Sequence, residues 1–185
     1  VSVHGSAVAG DLAILYDNAR HSSGSAPALV LPSGFTAISG GFIDSLYRNR
    51  QSVSAKILTG AGGSVTGMDG TSSDGKTLAI FRANAPLTGF TVHDLEEYYG
   101  SGNPPTKTIN ASAAASACIV LCSIMAVSGS ATYSGINSNP NFDADLTVPT
   151  GMAVGYKIYN SSPADHTYDG NDGSAFDGVA AFYIT

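Results

Sequence analysis

The chain has 185 residues, enough to close one hydrophobic core, and is read as a single domain, 1–185. Hydrophobic residues make up 43% and charged residues only 12%, with 8 Lys and Arg against 14 Asp and Glu for a net charge of -6. No basic stripe is available to neutralise phosphates and no apolar run approaches the roughly 20 residues that cross a bilayer, so neither nucleic acid nor membrane is expected as a partner.

From the start, VSVHGSAVAGDLAILY lacks a basic stretch followed by an apolar one, so no secretory signal is expected and synthesis is placed in a cytoplasm. Val1–Ala9 is extended and nearly uncharged, with a weak strand candidate at the N-terminus, and either it or the terminal strand GVAAFYIT is available to pair with a neighbour's sheet edge. DLAILY (Asp11–Tyr16) is the first clear strand, and a weaker one lies around Phe35–Ser39. In QSVSAKIL (Gln51–Leu58), Val53, Ala55 and Ile57 point one way and Ser52, Ser54 and Lys56 the other. That alternation predicts one dry face and one wet face. KTLAIFR (Lys76–Arg82) follows as a strand.

TVHDLEEYYG (Thr91–Gly100) predicts one short helix, with Thr91 as its cap and Gly100 as its stop. Tyr98 and Tyr99 are the candidate binding residues, since an exposed aromatic pair stacks on sugars or anchors in a partner's pocket. The alternative is that they pack over a sheet end. His93, Asp94, Glu96 and Glu97 form the densest ionisable set. On a helical turn its carboxylates face partly different ways, which suits a solvated face better than a glycosidase pair.

Thr106–Ala111 is a weak strand candidate. In Ser112–Gly129 an Ala-rich start permits a helix, while a β-branched centre favours a buried strand. Cys118 and Cys122 on such a strand would have Cα atoms roughly 13 Å apart, beyond the about 7 Å that a disulfide allows. They read as buried thiols. Phe142–Val148 is a further weak strand. MAVGYKIY (Met152–Tyr159) should direct Val154, Tyr156 and Ile158 inward and Lys157 outward, and GVAAFYIT (Gly178–Thr185) is the last strand.

Between those two lie Asp165, His166, Asp169, Asn171 and Asp172. Counted from Asp169, the twelfth position that should hold a bidentate Glu in a calcium loop is Ala180. An inter-strand loop is therefore expected over 165–172, with an adventitious cation as the alternative. No G-x-S-x-G, H-E-x-x-H, P-loop or dinucleotide pattern is present, and His4, His21, His93 and His166 are scattered. No catalytic residue, metal or cofactor is expected, and the chain is not read as an enzyme. The sum is an all-β fold, a single antiparallel β-sandwich, jelly-roll-like, of roughly eight to ten strands with long Gly- and Ser-rich loops and at most one short helix.

The runs AVAGDLAILYD, ALVLPSGFTAIS, SVSAKILTGAGGSVTGMDG, TLAIFRANAP, SGNPPTKTINAS and GYKIYNSSPADHTYD, in that order, resemble a group of small phage and prophage proteins. Those proteins read A-G-D-L, then P-x-G-[WF]-T, an x-K-[IVL] strand and a V-F-R strand. Phe35 stands where many relatives have Trp, Ala55 where many have Tyr, and Ile80 where many have Val. The resemblance implies a β-sandwich component of a virion, made in the host bacterial cytoplasm. Its partners would be other capsid or tail subunits and further copies of itself. The expectation is a capsid decoration or surface protein, with a tail-associated receptor- or carbohydrate-binding protein, contacting a host surface glycan, as the alternative. The resemblance supplies no catalytic residue.

Overall fold

β-branched and aromatic residues recur in short runs between Gly, Ser, Asn and Pro, and these runs become strands. The computed structural model describes residues 1–44, 48–70, 73–101, 106–126, 136–148, 152–169 and 176–185. Its strands are β1 (Leu12–Arg20), β2 (Thr36–Asp44), β3 (Asn49–Ile57), β4 (Ser73–Phe81), β5 (Val92–Ser101) and β6 (Lys107–Ile109). After a 3-10 turn at Ala111–Ala113 come β7 (Cys118–Ala126), β8 (Asn137–Asn139), β9 (Ala144–Val148), β10 (Met152–Tyr159), β11 (His166–Asp169) and β12 (Phe176–Ile184). All pairings are antiparallel. The first sheet runs β2-β3-β1-β4, the second β5-β12-β7-β10-β9, and a small third β6-β11-β8. The fold is all-β and sandwich-like, as expected, with the third sheet as an added layer. Among the described residues no helix is long and apolar enough to cross a membrane.

Three apolar layers hold the sheets together. Between the first and second sheets, Leu12, Ile14, Tyr16, Val53 and Ala55 meet Leu121, Met152, Ala180 and Phe182. Between the second and third, Val120, Cys122, Ile124 and Ala181 meet Ile109, Ile136 and Tyr168. On the outer face of the first sheet, Ala13 and Leu15 are roofed by Val3, Ala7, Leu58 and Val65. Each fully buried Leu, Ile or Phe contributes about 1.5–3 kcal/mol. β1 is consequently buried on both faces over all but its last residue.

Several expectations need correction. Ser52 and Ser54 are not on a wet face; both are buried, because the chain returns over the outer side of the first sheet. The Val1–Ala9 segment is part of that roof and no free arm: Val3 N donates to the Gly63 carbonyl at 3.0 Å, Val65 N to the Val1 carbonyl at 2.7 Å, and Val3 and Ala7 are buried. Thr91–Gly100 is no helix. Its residues form most of β5, which pairs along β12, and Thr91 exchanges backbone hydrogen bonds with Thr185 at 2.9 and 3.1 Å. The strand accommodates its sequence through a bulge: Asp94 and Leu95 stand together against Phe182, and Asp94 has φ 51°.

Lys56 and Lys157 lie on strands with their amines directed away from the apolar layers, as the alternation predicts; Lys56 reaches the Ser33 carbonyl and Lys157 reaches Asp143. Ile158 departs from its set and is 42% exposed, because β10 runs past the end of the facing sheet.

Phe182→Ala should cost about 3–5 kcal/mol in urea unfolding, since it empties the middle of the largest layer. Ile158→Ala should change stability by less than about 0.5 kcal/mol. A comparable loss for both would contradict the layer assignment.

Candidate interaction surface and the residues that build it

Four of the six runs quoted above, those holding Gly10–Asp11, Pro32–Phe35, Lys56–Leu58 and Arg82–Pro86, meet at one corner of the first sheet, while the other two contribute to β6, β10 and β11. Arg82 Nε and Nη2 donate to Asp11 Oδ1 and Oδ2 at 3.0 and 2.8 Å, and Nη2 also donates to the Ser6 carbonyl at 2.6 Å. Val8 N donates to Asp11 Oδ2 at 2.9 Å. The Arg82 hydrogen bonds, aided by Val8, hold the Asp11 carboxyl down to about 2. Gly10, at φ +89°, is packed so closely on Pro86 that a Cβ would overlap it. Its amide donates to the Leu58 carbonyl at 2.9 Å, Leu58 N donates to the Asp11 carbonyl at 2.8 Å, and Leu87 N donates to the Gly10 carbonyl at 3.0 Å. In P-S-G-F, Phe35 N donates to the Pro32 carbonyl at 3.0 Å, and Gly34 takes the positive φ the turn needs beside Lys56. These residues build a scaffold.

A half-open groove of about 460 Å³ opens beside that corner, between the Pro32–Phe35 turn and the 59–66 loop. Phe35, Leu58 and Val65 form its apolar floor and Ser33, Thr59 and Ser64 its polar rim. Lys56 Nζ lies 6.0 Å from the Phe35 ring centre, so one face of that ring is already engaged. The exposed apolar run Leu29–Val30–Leu31 stands next to this turn, at 39%, 48% and 37% exposure. Its only signal in the sequence is ALVL between two prolines, Pro27 and Pro32.

Tyr98 and Tyr99 do not form a joint platform. Adjacent on β5, they face opposite sides. Tyr98 packs against the layer under the third sheet. Tyr99 lays its ring on Gly41 of β2, with its hydroxyl bonded to Ser39 Oγ and donating to Glu97 Oε1 at 3.2 Å. Burial raises the Tyr99 pKa. The surrounding ionisable set is dispersed as well. His93 Nε2 meets Thr185 Oγ1 at 2.8 Å, Asp94 Oδ2 accepts from Asn110 N at 2.6 Å, Lys107 Nζ pairs with Glu96 at 2.7 Å, and Ser39 Oγ donates to Glu97 at 2.6 Å.

The acidic tail is only partly the expected loop, because His166–Asp169 is β11, the central strand of the third sheet. Asp165 Oδ1 accepts from Ser112 N at 2.9 Å, and the Ser112 hydrogen bonds lower its pKa. Asn171 and Asp172 lie outside the described residues. His166 is fully buried, stacked on Phe142 at 5.3 Å, with Nε2 3.1 Å from the Tyr159 hydroxyl. Burial, with nearby Lys157 opposing a second cation, pulls its pKa down to about 4. Cys118 and Cys122 are free, buried thiols, both pushed up in pKa by desolvation. Among the described residues no three His, Cys, Asp or Glu side chains gather as metal ligands.

Tyr99→Ala should lower the melting temperature by several degrees, since it removes a ring seated on Gly41 together with a hydroxyl bonded to Ser39. Tyr99→Phe should cost less. A melting temperature unchanged by Tyr99→Ala would return the side chain to the role of a free contact residue. In acid, the unfolded chain protonates His166 below about pH 6.5 while the folded chain refuses the proton until about pH 4. Stability should therefore fall across that window, and again from about pH 4 down to about 2 as Asp11 loses its charge. His166→Phe should remove the first decline and leave the second, as read by melting temperature against pH.

Compared with family models, with curated proteins and with solved structures, the chain matches none.

Proposed function

We propose that this chain is a structural or accessory protein of a bacteriophage particle, a capsid decoration or surface subunit working through contacts with neighbouring virion proteins and copies of itself. The observation that carries the reading is that three of the six runs that resemble phage proteins are interlocked in one corner, through Gly10, Asp11, Leu58, Arg82 and Pro86. A resemblance that includes residues fixing a scaffold supports common architecture with those proteins. The exposed Leu29–Leu31 run adds support, because an apolar strip on a charge-poor chain suits a surface that a neighbour covers.

A tail-associated role in host-carbohydrate binding is a second reading, favoured by the groove between the Pro32–Phe35 turn and the 59–66 loop. Its size falls in the range of small-ligand sites and its rim offers hydroxyls and backbone groups. Tyr98 and Tyr99 have no part in it.

Mass spectrometry of purified particles should find the protein, with a copy number on the order of hundreds for a capsid role or about three, six or twelve for a tail or vertex role. Absence from particles would overturn the virion reading. Binding of the isolated protein on a glycan array, lost on Lys56→Ala, would move the assignment to the second reading.

A further inference from the structure

The first sheet is one strand narrower than the second. β2 stands over β5, where Ser39 and Gly41 meet Glu97 and Tyr99. At the other side Phe81 of β4 packs edge-on against Tyr156 of β10 at 5.1 Å. β9, the outer neighbour of β10, therefore extends past β4, and among the described residues no strand of the first sheet lies opposite it. The resulting step is an apolar cleft of about 140 Å³, with Thr77, Ala79 and Phe81 on one wall and Ala144, Val154 and Tyr156 on the other.

β4 offers an unguarded edge along this step. It pairs with β1 over 9 residues without a register shift. β2 and β5, by contrast, both carry irregularities in their pairing. β4 contains no proline, and its lysine, Lys76, is turned back to the Met68 carbonyl at 2.6 Å and to Asp17. Such an inward-turned lysine guards the start of the strand, and Thr77–Phe81 beyond it carries neither charge nor proline. From Thr77 to Phe81 the backbone groups facing away from β1 have no partner among the described residues.

The Ala28–Leu31 segment is the complementary feature. It is exposed and lies outside any sheet; its backbone groups make no hydrogen bond among the described residues. Leu29 rests on Gly40 of β2, on the face opposite the one that Tyr99 covers at Gly41, which places the segment over the outer face of the edge strand farthest from β4. Neither surface carries an ionisable side chain from Thr77 to Phe81 or from Ala26 to Ser33, so joining them buries no charge. Pairing β4 with its own copy is less favourable, since each copy's β9 would enter the space held by the other's β10.

We propose that the step beside β4 is a strand-addition site, occupied by the Ala28–Leu31 segment of a second copy of this chain. Backbone hydrogen bonds to β4 supply the attachment, and alternate aliphatic side chains enter the cleft. Because donor and acceptor lie on opposite edges of one sheet, the contact is heterologous and repeats head to tail. It stands independently of where the protein works. A four-residue strand buries less than the about 1,200 Å² of a stable pair, so free subunits associate weakly and most visibly at high concentration.

The test is sedimentation velocity of the full chain over a concentration series, for the wild type, Val30→Asp, Thr77→Glu and an equimolar mixture of the two variants. The wild type should shift to larger species as concentration rises, and each variant alone should stay monomeric. The mixture should form dimers and nothing larger, because one variant keeps its step and the other keeps its segment. Both variants should melt within about two degrees of the wild type. Should Thr77→Glu prove unstable, Ala144→Lys places a charge at the same step from an exposed position. A wild type that stays monomeric throughout, association that survives both substitutions, or a mixture no different from its components would each overturn the proposal.

Discussion

Burial of both faces of a sheet is the constraint on which this structure turns. β7 and β12 have a sheet on either side, and β1 lies between the second sheet and the roof made by the N-terminal segment and the 59–66 loop. Strands in that position carry a charge only where partners replace its lost hydration, as Lys76 and the Met68 amide do for Asp17 of β1. Small and neutral residues therefore recur through them, including Ala180, Ala181 and Ser123. Gln51 Nε2 donates to Ser123 Oγ at 2.9 Å across the largest layer, linking the two main sheets by a polar contact that needs no ion. The scarcity of charge is thus partly an interior property, as well as a feature of the surface.

The same constraint separates what the sequence reveals from what it conceals. β1, β3, β4, β10 and β12 are legible because their aliphatic and aromatic residues are dense enough to read whichever faces are buried. The wet-face reading of Ser52 and Ser54 fails because a serine on a strand says nothing about whether another segment later covers it. β5 is concealed differently. Thr91, Asp94, Glu96 and Glu97 in sequence look like a helix start, and only pairing with β12 and the bulge at Asp94 make them a strand. Tertiary pairing overrides a local preference worth only tenths of a kcal/mol per residue. The strand at His166–Asp169 is hidden by turn-forming neighbours on both sides.

The candidate site was less legible still. Two adjacent tyrosines look like a single patch when written in a line, but strand geometry sends Tyr98 under the third sheet and Tyr99 onto Gly41. Gly41 gives no hint of this, since its lack of a side chain becomes meaningful only beside that ring. The Leu29–Leu31 run was visible in the sequence as apolar, and apolar residues are expected inside. Its exposure depends on where Pro27 and Pro32 fasten it, which periodicity does not report.

The third sheet is built to a lighter standard than the other two. Its strands are three or four residues long, against nine in β1, β7 and β12. Short strands fix few backbone hydrogen bonds each, so separating one breaks little. The sheet should therefore open at lower cost than the sandwich beneath it, detaching while β1, β7 and β12 stay closed. Amides of β6 and β11 would then exchange with solvent far sooner than those at the centre of the sandwich. The molecule has a loosely fastened side and a durable core, and a partner resting on the third sheet would stabilise it locally without tightening the rest.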